Sequence, residues 1–124
     1  MKNDTKTALI ILSDPNAGSD DANGKLFNAL AAAYDFKQAN QEVTILFQGA
    51  GTRWPALLED TQNPFYALFD AVKDKVQGVS CGCADAFGAD ASGYDLITTN
   101  AVPGTSGLPS FLKLQQDGYQ IITF

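Results

Sequence analysis

The sequence predicts an α/β protein, a three-layer α/β/α domain over residues 1–124 with a five-stranded, mostly parallel sheet. Three observations carry this. Short apolar runs rich in β-branched residues alternate along the chain with segments whose apolar residues recur at helical spacing. The first of these runs is apolar at successive positions, as befits a strand buried on both faces of a parallel sheet. No linker, internal repeat or low-complexity segment divides the 124 residues, about one domain's worth of chain.

Residues 7–12 (TALIIL) form the first expected strand, ended by Ser13, Asp14, Pro15, Asn16 and Gly18. A helix follows over about 24–39, where Leu26, Phe27, Leu30, Ala31 and Tyr34 recur at helical spacing. Asp20 and Asp21 suit caps or first-turn charges there. Residues 42–47 (EVTILF) are the second strand, closed by Gln48-Gly49-Ala50-Gly51. Pro55 suits the first turn of a short helix. Asn63-Pro64 reads as a second helix start running to about Val76, with Phe65, Leu68, Phe69 and Val72 as its core face. A short third strand is expected over 79–81, a short helix over 84–87 closed by Gly88, and a fourth strand over 95–99. Pro109 opens the last helix, Gly118 caps it, and 119–124 (YQIITF) is the fifth strand. Strands alternating with helices imply right-handed crossovers and a sheet covered on both faces.

Composition narrows the function. Eight basic against fourteen acidic residues give a net charge of −6, which repels phosphate backbones and anionic lipid, so nucleic acid and membrane are poor partners. The chain has no histidine, which removes Ser-His-Asp catalysis, a Cys-His pair and any imidazole base. The two cysteines cannot make a disulfide framework or fill a four-cysteine metal site. The apolar run at 8–12 is too short for a membrane span or a signal core, so a cytoplasmic protein with reduced thiols is expected.

Ligands of open parallel sheets bind where loops converge at the carboxyl ends of the strands. That rule selects the loops 13–18, 48–53, 81–85 and 100–107. The candidate site residues are therefore Cys81 and Cys83 for chemistry, and Asp14, Gly49, Gly51, Arg53, Asp85, Asn100, Thr105 and Ser106 for the pocket around them. A thiol between a strand end and a helix start meets backbone N–H donors and the positive end of a helix dipole, both favouring thiolate, the nucleophilic form. Asp85 works against that charge. Other uses of the pair stay open: small buried hydrophobes, a strained disulfide, or half of a metal site shared between subunits. Gly49-Ala50-Gly51 lacks the third glycine of a dinucleotide fingerprint, since Trp54 stands there, and there is no Walker lysine. Arg53, the one arginine, suits either an anion clamp or an ion pair with an Asp. Asp14 suits an Asx turn as readily as a polar site position. Phe65-Tyr66-Ala67-Leu68-Phe69 is more aromatic than one buried stripe needs, which leaves Tyr66 for a subunit contact.

Cys81-Gly82-Cys83-Ala84-Asp85-Ala86-Phe87-Gly88 follows a short strand, the elements run in order from Thr7 to Phe124 with an Ile-Thr-Phe ending, and Asn23-Gly24-Lys25-Leu26-Phe27-Asn28-Ala29-Leu30 follows the first strand. On these residues the chain resembles the DsrE/DsrF-like family of small sulfur-relay proteins, including its YchN-type members. It implies a DsrE-like α/β/α fold and a homo-oligomer, trimer or hexamer. It also implies, for some members, a cysteine that takes up sulfane sulfur as a persulfide and passes it from a donor to an acceptor protein. Cys81 matches the family's thiol with one residue fewer before the glycine, and Cys83 resembles a second cysteine of YchN-type members. Phe87 stands where the family often has a basic residue. No metal or organic cofactor is implied. The expectation is thus a persulfide carrier, sulfurtransferase-like; the alternative is a small oligomeric binding or assembly module without chemistry.

Overall fold

The computed structural model describes residues 4–124; residues 1–3 of the expected domain lie outside the described residues. Five strands form one sheet in the order β4-β3-β2-β1-β5. They are β1 (Lys6–Ile11), β2 (Glu42–Phe47), β3 (Val76–Ser80), β4 (Leu96–Ile97) and β5 (Gln120–Thr123). Every pairing is parallel, so the mostly parallel sheet expected is wholly parallel.

The chain steps outward from β1 to β4, then returns across the sheet to lay β5 on the other side of β1. Right-handed crossovers put the outward and returning connections on opposite faces. The outward face carries the main core. There Leu9 and Ile11 of β1 and Val43, Ile45 and Phe47 of β2 meet Leu26, Ala29, Leu30 and Ala33 of helix α1 (Asp20–Gln38). Trp54 and Leu58 of α2 (Trp54–Leu58), Phe69 and Val72 of α3 (Tyr66–Val72), and Ala84 of α4 (Cys81–Phe87) join the same cluster. Phe47 and Phe69 meet edge-on with ring centroids 6.4 Å apart, the geometry that aromatic quadrupoles favour. Each large side chain buried here contributes roughly 1.5–3 kcal/mol. The opposite face is thinly covered: Ala8, Ile10, Leu46 and Ile97 pack under Leu114 of α5 (Phe111–Gln116), the one helix on that side among the described residues.

Local chemistry moves several boundaries. The first long helix begins at Asp20, earlier than expected, because Ser19 Oγ accepts from Ala22 N and Asp20 and Asp21 lie in the first turn. Asn63 does not cap the next helix; its side chain accepts from Phe65 N in an Asx turn, and α3 starts at Tyr66. That helix stops at Val72, and Val76, expected to end it, opens β3. Lys37 Nζ closes the helix end by donating to the Ala71 carbonyl (2.7 Å) and to Asp74 (2.8 Å). The third strand is longer on its amino side than the expected 79–81 and ends one residue sooner, so Cys81 belongs to α4. Ser80 is the cause: its Oγ accepts from Cys83 N and starts the helix three residues before Ala84. The fourth strand, expected over 95–99, pairs only at Leu96 and Ile97, because the chain then turns to bond Asn100 with Leu108. Pro109, expected to open the last helix, lies before it: Ser110 caps α5, which starts at Phe111. Gly88 closes α4 in the left-handed region, as expected.

Candidate functional site

β3 and β4 are neighbours, yet their following connections leave on opposite faces. After β3 the chain enters α4, whose Ala84 packs with the main core; after β4 it heads for α5 on the thin face. Adjacent strands that part this way leave a crevice at their carboxyl ends, where ligands of open α/β sheets bind. Both cysteines lie at that point. Cys81 is the first residue of α4 and Cys83 the third. Both are free thiols and partly buried. Two residues apart on a helix, their side chains point roughly 200° from one another around the axis.

The start of α4 is densely bonded. Gly82 N donates to the Gly107 carbonyl at 2.7 Å, and Cys83 N donates to Ser80 Oγ at 3.3 Å. Neither amide is open to a sulfur atom, so the main-chain donors expected to favour a thiolate are partly occupied. Ser80 is wholly buried. Ser106 Oγ donates to Asp85 Oδ2 at 2.5 Å, joining two predicted site residues from opposite sides of the crevice. Thr105, a third, lies against Gly82, where an added Cβ would stand 3.2 Å from Thr105 Cβ.

The remaining predicted residues form a second group. Asp14 accepts from Asn16 N (2.9 Å) in an Asx turn and from Arg53 Nη1 (3.1 Å). Arg53 also donates from Nε to the Phe87 carbonyl at 3.2 Å, with its guanidinium over the Phe87 ring at 5.6 Å. Of the two roles open to Arg53, the ion pair is the one present. Gly49 and Gly51 belong to a 3₁₀ turn, Gly49–Arg53, that ends with Arg53 in place. Gly51 touches β1 so closely that a Cβ would overlap the Ile11 carbonyl. Trp54, in the core, donates to the Ser13 carbonyl at 2.9 Å and fastens the first loop. Asn100 lies at the base of the loop that carries Thr105 and Ser106. Its backbone pairs with Leu108, and it lines a groove of about 790 Å³ beside α5 with Thr44, Leu46, Gln77, Ile97 and Lys113.

Sequence reasoning did not single out Ser80, Gly107 or Gln48. Ser80 could have been found from a Ser three residues before an amide it caps. Gln48 follows the Phe47–Val79 pair at the same sheet edge and is 8% exposed. Its Oε1 is buried with no hydrogen-bond partner among the described residues, and no sequence signal marks that. Among the described residues no three His, Cys, Asp or Glu side chains are grouped to hold a metal ion, and no helix is long and apolar enough to cross a membrane.

A parallel α/β/α domain with free thiols at the topological switch point defines a class of small thiol-bearing α/β proteins. Compared with known protein families, the chain matches the DsrE/DsrF-like family over residues 6–124 and belongs to it. That family is of the sulfur-relay type. No curated protein and no solved structure matches the chain.

Proposed function

We propose that this protein carries sulfane sulfur on Cys81 as a persulfide, relaying it between donor and acceptor proteins in the cytoplasm. One observation supports this above the rest: both cysteines are free and partly buried on the first turn of α4, at the carboxyl edge of β3. In this reading the Cys81 thiolate attacks the outer sulfur of a donor persulfide, a new S–S bond forms, and the donor departs as its thiolate. Attack by an acceptor thiolate on that outer sulfur then restores Cys81. Cys83, turned away around the helix, assists from the far side or meets a different partner. The assembly in this reading is a homo-oligomer, a trimer or hexamer.

The test is mass spectrometry of the intact protein after exposure to polysulfide. The native chain gains one sulfur that dithiothreitol removes; Cys83→Ser keeps the gain and Cys81→Ser loses it. A native chain that gains none would end this reading, and a loss in Cys83→Ser alone would move the role to Cys83.

The groove beside α5 favours a second reading, a binding or assembly module. At about 790 Å³ it is within the range of small-molecule sites, and Leu112 on its rim is 64% exposed. In that case Leu112→Asp changes the oligomeric state or ligand binding and leaves both thiols' reactivity as it was.

A further inference from the structure

We infer that residues 98–108 form a strap that closes the switch-point crevice over the start of α4 and governs access to its thiols. This rests on the reading of that helix start as the sulfur site and adds its regulation. The two connections that leave β3 and β4 diverge by topology, yet here they are stitched together. Gly107 offers its carbonyl to Gly82 N at 2.7 Å. Ser106 Oγ reaches Asp85 Oδ2 at 2.5 Å. Gly82 itself, between the two cysteines in sequence, is where the strap lands: a Cβ there would meet the Gly107 oxygen at 3.1 Å, Thr105 Cβ at 3.2 Å and a Leu108 methyl at 3.5 Å.

The strap is built to make this contact. Gly107 has φ of 114°, and a Cβ there would come within 2.5 Å of Thr98 Cα, so glycine is required for the chain to turn down onto α4. Its base is the two-way pairing of Asn100 and Leu108, at 2.9 and 3.0 Å. Its outer part is exposed over 103–106 and turns on itself through Thr105 Oγ1 to the Val102 carbonyl at 2.7 Å. Such a segment can lift about its base at the cost of few hydrogen bonds, while the sheet stays whole. Closed, it occupies the Gly82 amide and shields the first turn of α4; open, it frees both. Ser106 and Asp85 are its clasp, and act on the thiols through the position of the strap.

The experiment is Ser106→Ala in the full chain, a change that leaves every charge in place. The rates at which iodoacetamide labels Cys81 and Cys83 are followed by peptide mass spectrometry, and exchange of the Gly82 amide by NMR. At least one thiol is labelled about two- to tenfold faster, the shift in population that one lost hydrogen bond allows, and the Gly82 amide exchanges faster by a similar factor. Ser106→Thr, which keeps the hydroxyl, labels at the native rate. Unchanged labelling and exchange in Ser106→Ala would overturn the strap. The sulfur-carrier reading fails separately: faster labelling with no polysulfide adduct leaves the strap and removes the carrier, and an adduct with unchanged labelling does the reverse.

Discussion

Arg53 and Asp14 meet side chain to side chain across 39 residues of sequence, Nη1 to Oδ1 at 3.1 Å. Both are partly shielded, 29% and 36% exposed. Through this pair and the Phe87 carbonyl, Arg53 ties together the turn after β1, the turn after β2 and the end of α4. An exposed ion pair alone adds little, but the same guanidinium also covers the Phe87 ring. Arg53→Ala is therefore expected to lower stability by roughly 1–2 kcal/mol, read from urea unfolding. Arg53→Lys recovers only part of it, since an ammonium cannot serve three loops in one plane.

Gly51 answers to a harder constraint. A side chain there would run into the Ile11 carbonyl and its carbon, both part of a central strand that cannot give way. Gly51→Ala is expected to cost at least about 3 kcal/mol, or to displace the 3₁₀ turn that carries Arg53. Thermal unfolding measures the first outcome and loss of the Arg53→Ala effect in the Gly51→Ala background the second.

Much of this was legible in the chain because strands buried on both faces leave an unbroken apolar run. Residues 42–47 were readable to the residue, and β2 is Glu42–Phe47. Boundaries set by one side-chain hydrogen bond were not. The periodicity around Ser80-Cys81-Gly82-Cys83 is too short to favour strand or helix, and the bond from Cys83 N to Ser80 Oγ decides it. The site shows the same division. Loop convergence at the sheet edge picked out Asp14, Arg53, Asp85, Thr105 and Ser106, but not who meets whom. The Asp85–Ser106 and Asp14–Arg53 pairs exist because of strand order, and Asn100 falls in with the α5 groove because its chain has already turned away from β3.

Two tyrosines give the alkaline limb of stability its form. Tyr119 donates its hydroxyl to Glu42, and that bond, with burial second, pushes the phenol from its ordinary 10.0 to about 12. Tyr94 is raised still further, by burial first and then by its bond to Glu59. A raised value in the folded state adds stability that is whole below pH 10 and is lost as pH rises through the folded value. Stability is expected to fall between pH 10 and about 12, and Tyr119→Phe should flatten that fall. On the acid side, the Lys73 hydrogen bond holds Glu59 below its ordinary 4.5, and the Lys37 hydrogen bond holds Asp74 below 3.8. Their stabilisation is present above those ordinary values and is lost as pH drops through the lowered ones. Urea midpoints taken across pH for the native chain check both limbs, and Lys73→Met should lose the larger part of the Glu59 acid dependence, the Tyr94 hydrogen bond keeping the rest.

Oxidation should tell the two cysteines apart from a redox pair. Cys81 and Cys83 are close along the backbone, but a disulfide needs converging Cβ vectors as well as near Cα atoms. At the first and third positions of α4 those vectors diverge around the helix. Closing the bond would mean unwinding the first turn, and with it the Ser80 cap and the Gly82–Gly107 hydrogen bond. Mild oxidation with diamide, which takes up the two hydrogens, is therefore expected to join separate chains through intermolecular disulfides, with no internal Cys81–Cys83 bond in the folded protein. In urea, where the helix is gone, the same treatment should form that bond readily. Peptide mapping without reductant distinguishes the cases, and an internal bond formed at equal rates in buffer and in urea would show that the first turn of α4 does not hold the thiols apart.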